Sequence, residues 1–182
     1  MKRKLRGCND NENIMIRIND RHSMELIAQY AKVNLGARVE SVAGYDDKDQ
    51  LIGGVLILED NGWSCEAHTA GFRPNWATKE LLWTVFNYIF RVRKIKKLFG
   101  RVPENNYRAR RFNRHLGFAE EHIIDDVYQG GEGLVVMSMY EDNCRYLKMK
   151  PPIVNFPSIE KTDIVKVYQY DQIYSQSNIS EK

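Results

Sequence analysis

The chain has 182 residues, a length that suits one domain with an extension. Its 43% hydrophobic and 11% aromatic content supplies a real core and excludes a disordered chain. The net charge of +3 sets no class by itself, and no apolar run is long enough to span a membrane, so no membrane partner is expected.

Met1-Lys2-Arg3-Lys4-Leu5-Arg6 is basic, but no apolar run follows it, so it does not read as a secretory signal. Residues 1–13 read as a polar terminus, and 14–18 as a short strand. Asn19 or Asp20 can cap a helix over 21–35, whose Met24, Ile27, Tyr30, Ala31 and Leu35 share a side and which Gly36 ends. Strands follow over 39–45 and 50–59, joined by the polar turn Asp46-Asp47-Lys48-Asp49. The unbroken apolar run 51–58 predicts a central strand buried on both faces. Asn61-Gly62 is a strong hairpin signal and leads into a strand over 63–70. Alternation along that strand puts Glu66 and His68 on one face, near its end.

Leu81, Leu82, Val85, Phe86 and Ile89 predict a helix over 78–91. A basic linker, 94–97, leads to a strand over 98–102 that Pro103 stops. Asn105 or Asn106 then caps a short helix with Ala109, Phe112 and Leu116 on one face and arginines elsewhere, and Gly117 is placed to end it. Strands over 119–128 and 134–140, joined by Gln129-Gly130-Gly131-Glu132-Gly133, close the domain together with 141–147. Pro151-Pro152 marks a boundary between a domain over 1–149 and an extension over 150–182. Within the extension, Val165, Val167, Tyr168, Tyr170 and Ile173 suit a strand or a partner-docking arm, and 175–182 reads as disordered.

Charge is unevenly placed. From Arg91 to Arg114 there are ten Lys/Arg and one acid, Glu104, a local balance of +9 against +3 for the whole chain. Such a tract suits a polyanionic ligand, or simply a solvated helix face. Cys8, Cys65 and Cys144 are widely spaced and read as reduced thiols of a cytoplasmic protein, with no disulfide frame and no metal site.

Asn106, Ala109 and Gly117-Phe118, with the glycine eleven residues past the asparagine, resemble the C-terminal half of a GNAT acetyltransferase. Phe86-Asn87-Tyr88-Ile89-Phe90 upstream and Asp142-Asn143-Cys144-Arg145-Tyr146-Leu147 downstream resemble a branch often encoded by bacteriophages and similar to ribosomal-protein acetyltransferases. The resemblance runs over 39–147. It implies an α/β fold with a mixed, mostly antiparallel sheet, splayed central strands and flanking helices. It also implies transfer of an acetyl group from acetyl-CoA to an amine, small-molecule or protein, by direct attack.

By the same resemblance, Glu66 or His68 takes the proton that keeps an amine unreactive. The plainer reading pairs Glu66 with a basic residue and hydrogen-bonds His68 in the sheet. Coenzyme A would be held by Trp76, Ala77, Thr78 and Lys79 at a helix N-terminus, and by Asn106, Ala109, Arg111 and Phe112. Arg108, Arg110 and Arg114 are further candidates for its phosphates. Plainer roles are a core plug for Trp76 and a helix cap for Asn106. Two positions depart from the family: the cofactor loop lacks its glycines, and Asn113 stands where a tyrosine usually protonates the leaving thiolate. These motivate a second reading, a non-catalytic phage component in the host cytoplasm or virion, with the extension docking a virion partner or a second copy. The basic tract suggests a third, modification of nucleic-acid bases.

Overall fold

A computed structural model of the protein describes residues 14–36 and 38–156. Cys8, the basic terminus and the strand, docking and disorder expectations for the extension beyond residue 156 lie outside the described residues.

The chain runs β1 (Met15–Ile18), α1 (Arg21–Ala31), β2 (Glu40–Tyr45), β3 (Leu51–Leu58), β4 (Ser64–Gly71), α2 (Lys79–Asn87), β5 (Lys97–Pro103), α3 (Tyr107–Leu116), β6 (Ala119–Tyr128) and β7 (Glu132–Met139). The strands form one seven-stranded sheet in the order β1-β2-β3-β4-β5-β7-β6. Every ladder between these strands is antiparallel except β4 with β5. β3 is the central strand its apolar run predicts. Val55 and Ile57 join the larger core with α2, β5 and β7, while Leu56 and Leu58 pack with Ile27 and Ala28 of α1 on the other face.

Local signals set most boundaries. Asp20 caps α1, its carboxylate accepting from Ser23 N at 2.9 Å. The helix ends at Ala31 and not at 35, because Lys32 turns left-handed (φ 55°). The N–H of Val33 then reaches back to Ala28 O at 3.0 Å, and its side chain packs on the α1-side core. That contact fixes the stop, so Leu35 is exposed and Gly36 does not terminate the helix. At the β3–β4 hairpin, Asn61 Oδ1 accepts from the backbone of Trp63 and Ser64. The helix expected over 78–91 keeps α-geometry only through Asn87. Tyr88–Val92 is wound more widely, a π-turn that buries Ile89 and Phe90. β7 begins at Glu132 instead of 134, because Gly130 and Gly131, both at positive φ, tighten the loop. Gly117 ends α3 at φ 126°, where a Cβ would stand 2.1 Å from Asn143 O.

The β4–β5 pair positions everything that follows. Its ladder holds only Ser64 to Lys97, Cys65 to Leu98 and Glu66 to Phe99. Beyond this, β4 stays with β3 as far as Gly71, and β5 stays with β7 as far as Pro103. The two strands part, as the expected splayed sheet requires. Cys65 and Cys144 are buried free thiols, and burial pushes the Cys65 thiol up to about 12. Among the described residues no helix is long and apolar enough to cross a membrane.

Candidate active site

Where β4 and β5 part, no ladder joins their facing edges, and the backbone groups there open onto a cavity of about 270 Å³. Ala67, His68 and Thr69 of β4 form one wall, and Gly100, Arg101, Val102 and Pro103 of β5 the other. α3 closes the cavity with Asn106, Ala109, Phe112 and Asn113, and Val55, Leu82, Val85 and Phe86 make an apolar floor. Unpaired strand edges of this kind accept an added extended chain through main-chain hydrogen bonds.

Of the candidate residues, His68, Asn106, Ala109 and Phe112 meet here. Asn106 also caps α3, its Oδ1 accepting from Ala109 N at 3.1 Å, so the cap role and the cavity role coexist. Asn113 lines the cavity at the position of the missing tyrosine, and its amide N–H donates only weakly, to Met137 Sδ at 3.7 Å.

Glu66 lies just behind this wall, at 5% exposure. It lines a second cavity of about 340 Å³ with Glu59, Phe99, Arg101 and Val136. Arg101 belongs to both linings and holds Glu66 Oε2 in an ion pair. His68 Nε2 stands 2.9 Å from Glu66 Oε1. Burial alone would raise the Glu66 carboxyl, but the His68 ring and the Arg101 guanidinium outweigh it and hold the group down at about 2. Glu66 is therefore a charged partner at neutral pH and a poor proton acceptor. The folded-state value lies below the ordinary 4.5, so the stabilisation is complete above about pH 4.5 and is lost as pH falls toward 2. Denaturant unfolding of wild type and Glu66→Gln should show a stability gap at pH 6 that closes steadily over this window. A gap that is constant with pH would contradict the assignment.

The loop before α2 holds the remaining candidates outside the cavity. The Trp76 indole lies against two glycines: an added Cβ at Gly71 would stand 2.0 Å from it, and one at Gly53 2.5 Å. It also meets Phe112, with ring centroids 6.1 Å apart. Trp76 and Ala77 thus pack against the core and anchor the loop to α3. Thr78 caps α2, its Oγ1 accepting from Leu81 N at 3.3 Å. The N–H groups of Lys79 and Glu80 open the helix without intrahelical partners, and the Lys79 side chain is exposed.

The basic tract is largely neutralised within the fold. Arg91 pairs with Glu141, Arg93 with Asp60 and Glu40, Lys97 with Glu121, and Arg101 with Glu66. Arg110 and Arg114 are both taken by Glu120. Among the described residues, Arg108 and Arg111 of α3 carry no ion pair and are exposed, which narrows the four phosphate candidates to these two.

Arg101 is the site residue that sequence reading misses. Its only signal is alternation along β5, two residues past Phe99, and that means nothing until the parallel register sets Phe99 beside Glu66.

No protein-family model matches the chain, and no curated protein matches it in sequence. Solved structures do. A chimera of the Vibrio cholerae spermidine N-acetyltransferase SpeG and hSSAT aligns with TM-score 0.61 at 17% identity, covering 75% of this chain and 99% of its own. The Vibrio cholerae spermidine N-acetyltransferase in complex with CoA and spermine gives 0.57 at 17%, with the same coverage of 75% and 99%. The dodecameric form of that enzyme in an intermediate state gives 0.60 at 16%, over 75% and 97%. The likeness is one of fold: this chain has the GNAT fold, a mixed α/β seven-stranded sheet flanked by helices.

Proposed function

We propose that the protein is an acyl-CoA-dependent N-acetyltransferase that uses His68 as its base. The observation that carries this reading is the gap between β4 and β5, lined by His68 on one side and by the Asn106–Asn113 face of α3 on the other. Acetyl-CoA would supply the activated acetyl thioester as substrate.

The residues present fit such a molecule. The parted strand edges suit an amide-bearing pantetheine arm, and Asn106 adds a side-chain amide beside it. The α2 N-terminus offers the Lys79 and Glu80 N–H groups to a pyrophosphate, with Lys79, Arg108 and Arg111 as exposed cations. Among the residues lining the gap, only His68 and Arg101 carry ionisable side chains, and an arginine does not serve as base at neutral pH. His68 takes the proton from the acceptor ammonium, and the freed amine attacks the acetyl carbonyl. Asn113 has N–H groups to stabilise charge on the departing sulfur but no proton to give, so solvent supplies it.

The acceptor is proposed to be a small-molecule amine. Spermidine and spermine come first for testing, because the solved structures of this fold are spermidine N-acetyltransferases, one of them in complex with spermine. The dodecameric neighbour supports an oligomer as well. Two measurements test the reading. Acetyl-CoA should stabilise the protein against heat, by about 2.7 kcal/mol at a hundredfold excess over its Kd. Incubation with an amine panel should then release free thiol. No thermal shift at millimolar acetyl-CoA would end the proposal.

A further inference from the structure

We infer that Glu66, pinned by Arg101, fixes His68 as the tautomer protonated on Nε2, leaving Nδ1 as the atom that accepts the acceptor amine's proton. This rests on His68 being the base, and it adds two positioning residues and an atom to that reading.

The argument starts from the carboxylate. An ionised carboxylate only accepts hydrogen bonds. Arg101 occupies Glu66 Oε2. Oε1 is buried with no hydrogen-bond partner formed, and His68 Nε2 stands 2.9 Å from it. A buried acceptor without a partner costs free energy, so an N–H turned toward Oε1 is favoured. That N–H must be on Nε2. In a neutral imidazole the lone pair then resides on Nδ1. Among the described residues no hydrogen bond engages Nδ1, so nothing competes for it.

Arg101 is what makes Glu66 dependable. It reaches across from β5 just past the last rung of the β4–β5 ladder, where the strands separate. The charged and titratable groups around the pair come from four elements. They are Cys65 on β4, Arg101 on β5, Glu59 after β3 and Tyr128 on β6. Cys65 is a neutral thiol at any working pH, because burial pushes it to about 12. Arg101 is therefore the cation that sets the carboxylate's orientation.

The test is nitrogen-15 NMR of the histidine rings in the full chain without acetyl-CoA, at alkaline pH. The His68→Gln variant identifies the His68 signal among the four histidines. Wild type should show a single Nε2-protonated tautomer. Glu66→Gln should show both tautomers, because a glutamine offers either an acceptor or a donor, and Arg101→Gln should shift the same way. If Glu66→Gln does not fold, the half-exposed Arg101→Gln carries the measurement. In turnover, both variants should lower kcat about tenfold, and Glu66→Gln, whose side chain does not line the cavity, should leave KM for acetyl-CoA unchanged. A wild-type ring protonated on Nδ1, or a tautomer ratio indifferent to both substitutions, overturns the inference. A locked ring in a protein that transfers no acetyl group would instead overturn the proposed function and leave the tautomer standing.

Discussion

The His68→Gln variant should bind acetyl-CoA as wild type does and lose about 10²–10⁴-fold in kcat at neutral pH. The cause is the protonation state of the acceptor. An alkyl amine with a pKa of about 10.4 is neutral in only about one molecule in 2,500 at pH 7, and only the neutral form attacks. His68 removes the proton inside the cavity, and no other lining side chain can do so there. Glu66 cannot substitute, because it does not line the cavity and the Arg101 ion pair, which the variant keeps, still favours its charged form. The sign of the pH dependence follows. Without the histidine, turnover should climb with pH as the free amine grows, roughly tenfold per pH step until the amine's own pKa is reached. The wild-type advantage should shrink across that range. Thiol release measured between pH 6 and 10 with spermidine checks both statements. A variant within about twofold of wild type at pH 7, following the same pH profile, would show that another group is the base. The expected loss corresponds to about 2.7–5.5 kcal/mol of barrier.

Features legible in the sequence were those whose cause is local. Asp20, Asn61 and Asn106 each bond backbone groups within about one turn of themselves, so side-chain chemistry alone marked them. Gly117 was legible because glycine readily takes the positive φ at which many helices end. What was missed depends on partners far along the chain. The acids that neutralise the basic tract come from Glu40, Asp60, Glu66, Glu120, Glu121 and Glu141, on five different segments. A run of arginines therefore looked freer than it is. Arg101 gained its role only through a parallel ladder, whose register no turn dictates. The end of α1 at Lys32 was hidden for a related reason. Leu35 continues the helical spacing, but Val33 gains more by folding back onto the core.

Gly71→Val should destabilise the protein by about 1–3 kcal/mol and weaken acetyl-CoA binding together, although Gly71 does not line the cavity. The side chain has nowhere to go. Its Cβ would fall 2.0 Å from Trp76 Cδ1 and 2.1 Å from Trp76 Nε1, inside a rigid ring and not at the end of a flexible chain. The indole cannot retreat toward β3, because Gly53 already lets it sit where a Cβ would be 2.5 Å from Cε3. It must move outward, and it carries its neighbours. Trp76 meets Phe112 of α3 and stands two residues before the Thr78 cap. Displacing it therefore disturbs the proposed phosphate-binding helix end and the α3 wall in one step. Trp76→Ala reverses the sign of the packing error and leaves a cavity, at a cost of about 3–5 kcal/mol, with the same loss of affinity. Combining Gly71→Val with Trp76→Ala should recover part of the stability, because the valine then fills space the indole vacates, so the two changes are strongly non-additive. Urea unfolding of the two single variants and the pair, with acetyl-CoA titrations alongside, measures this coupling. Additive costs would mean that Gly71 is required for its backbone and not for the ring lying on it.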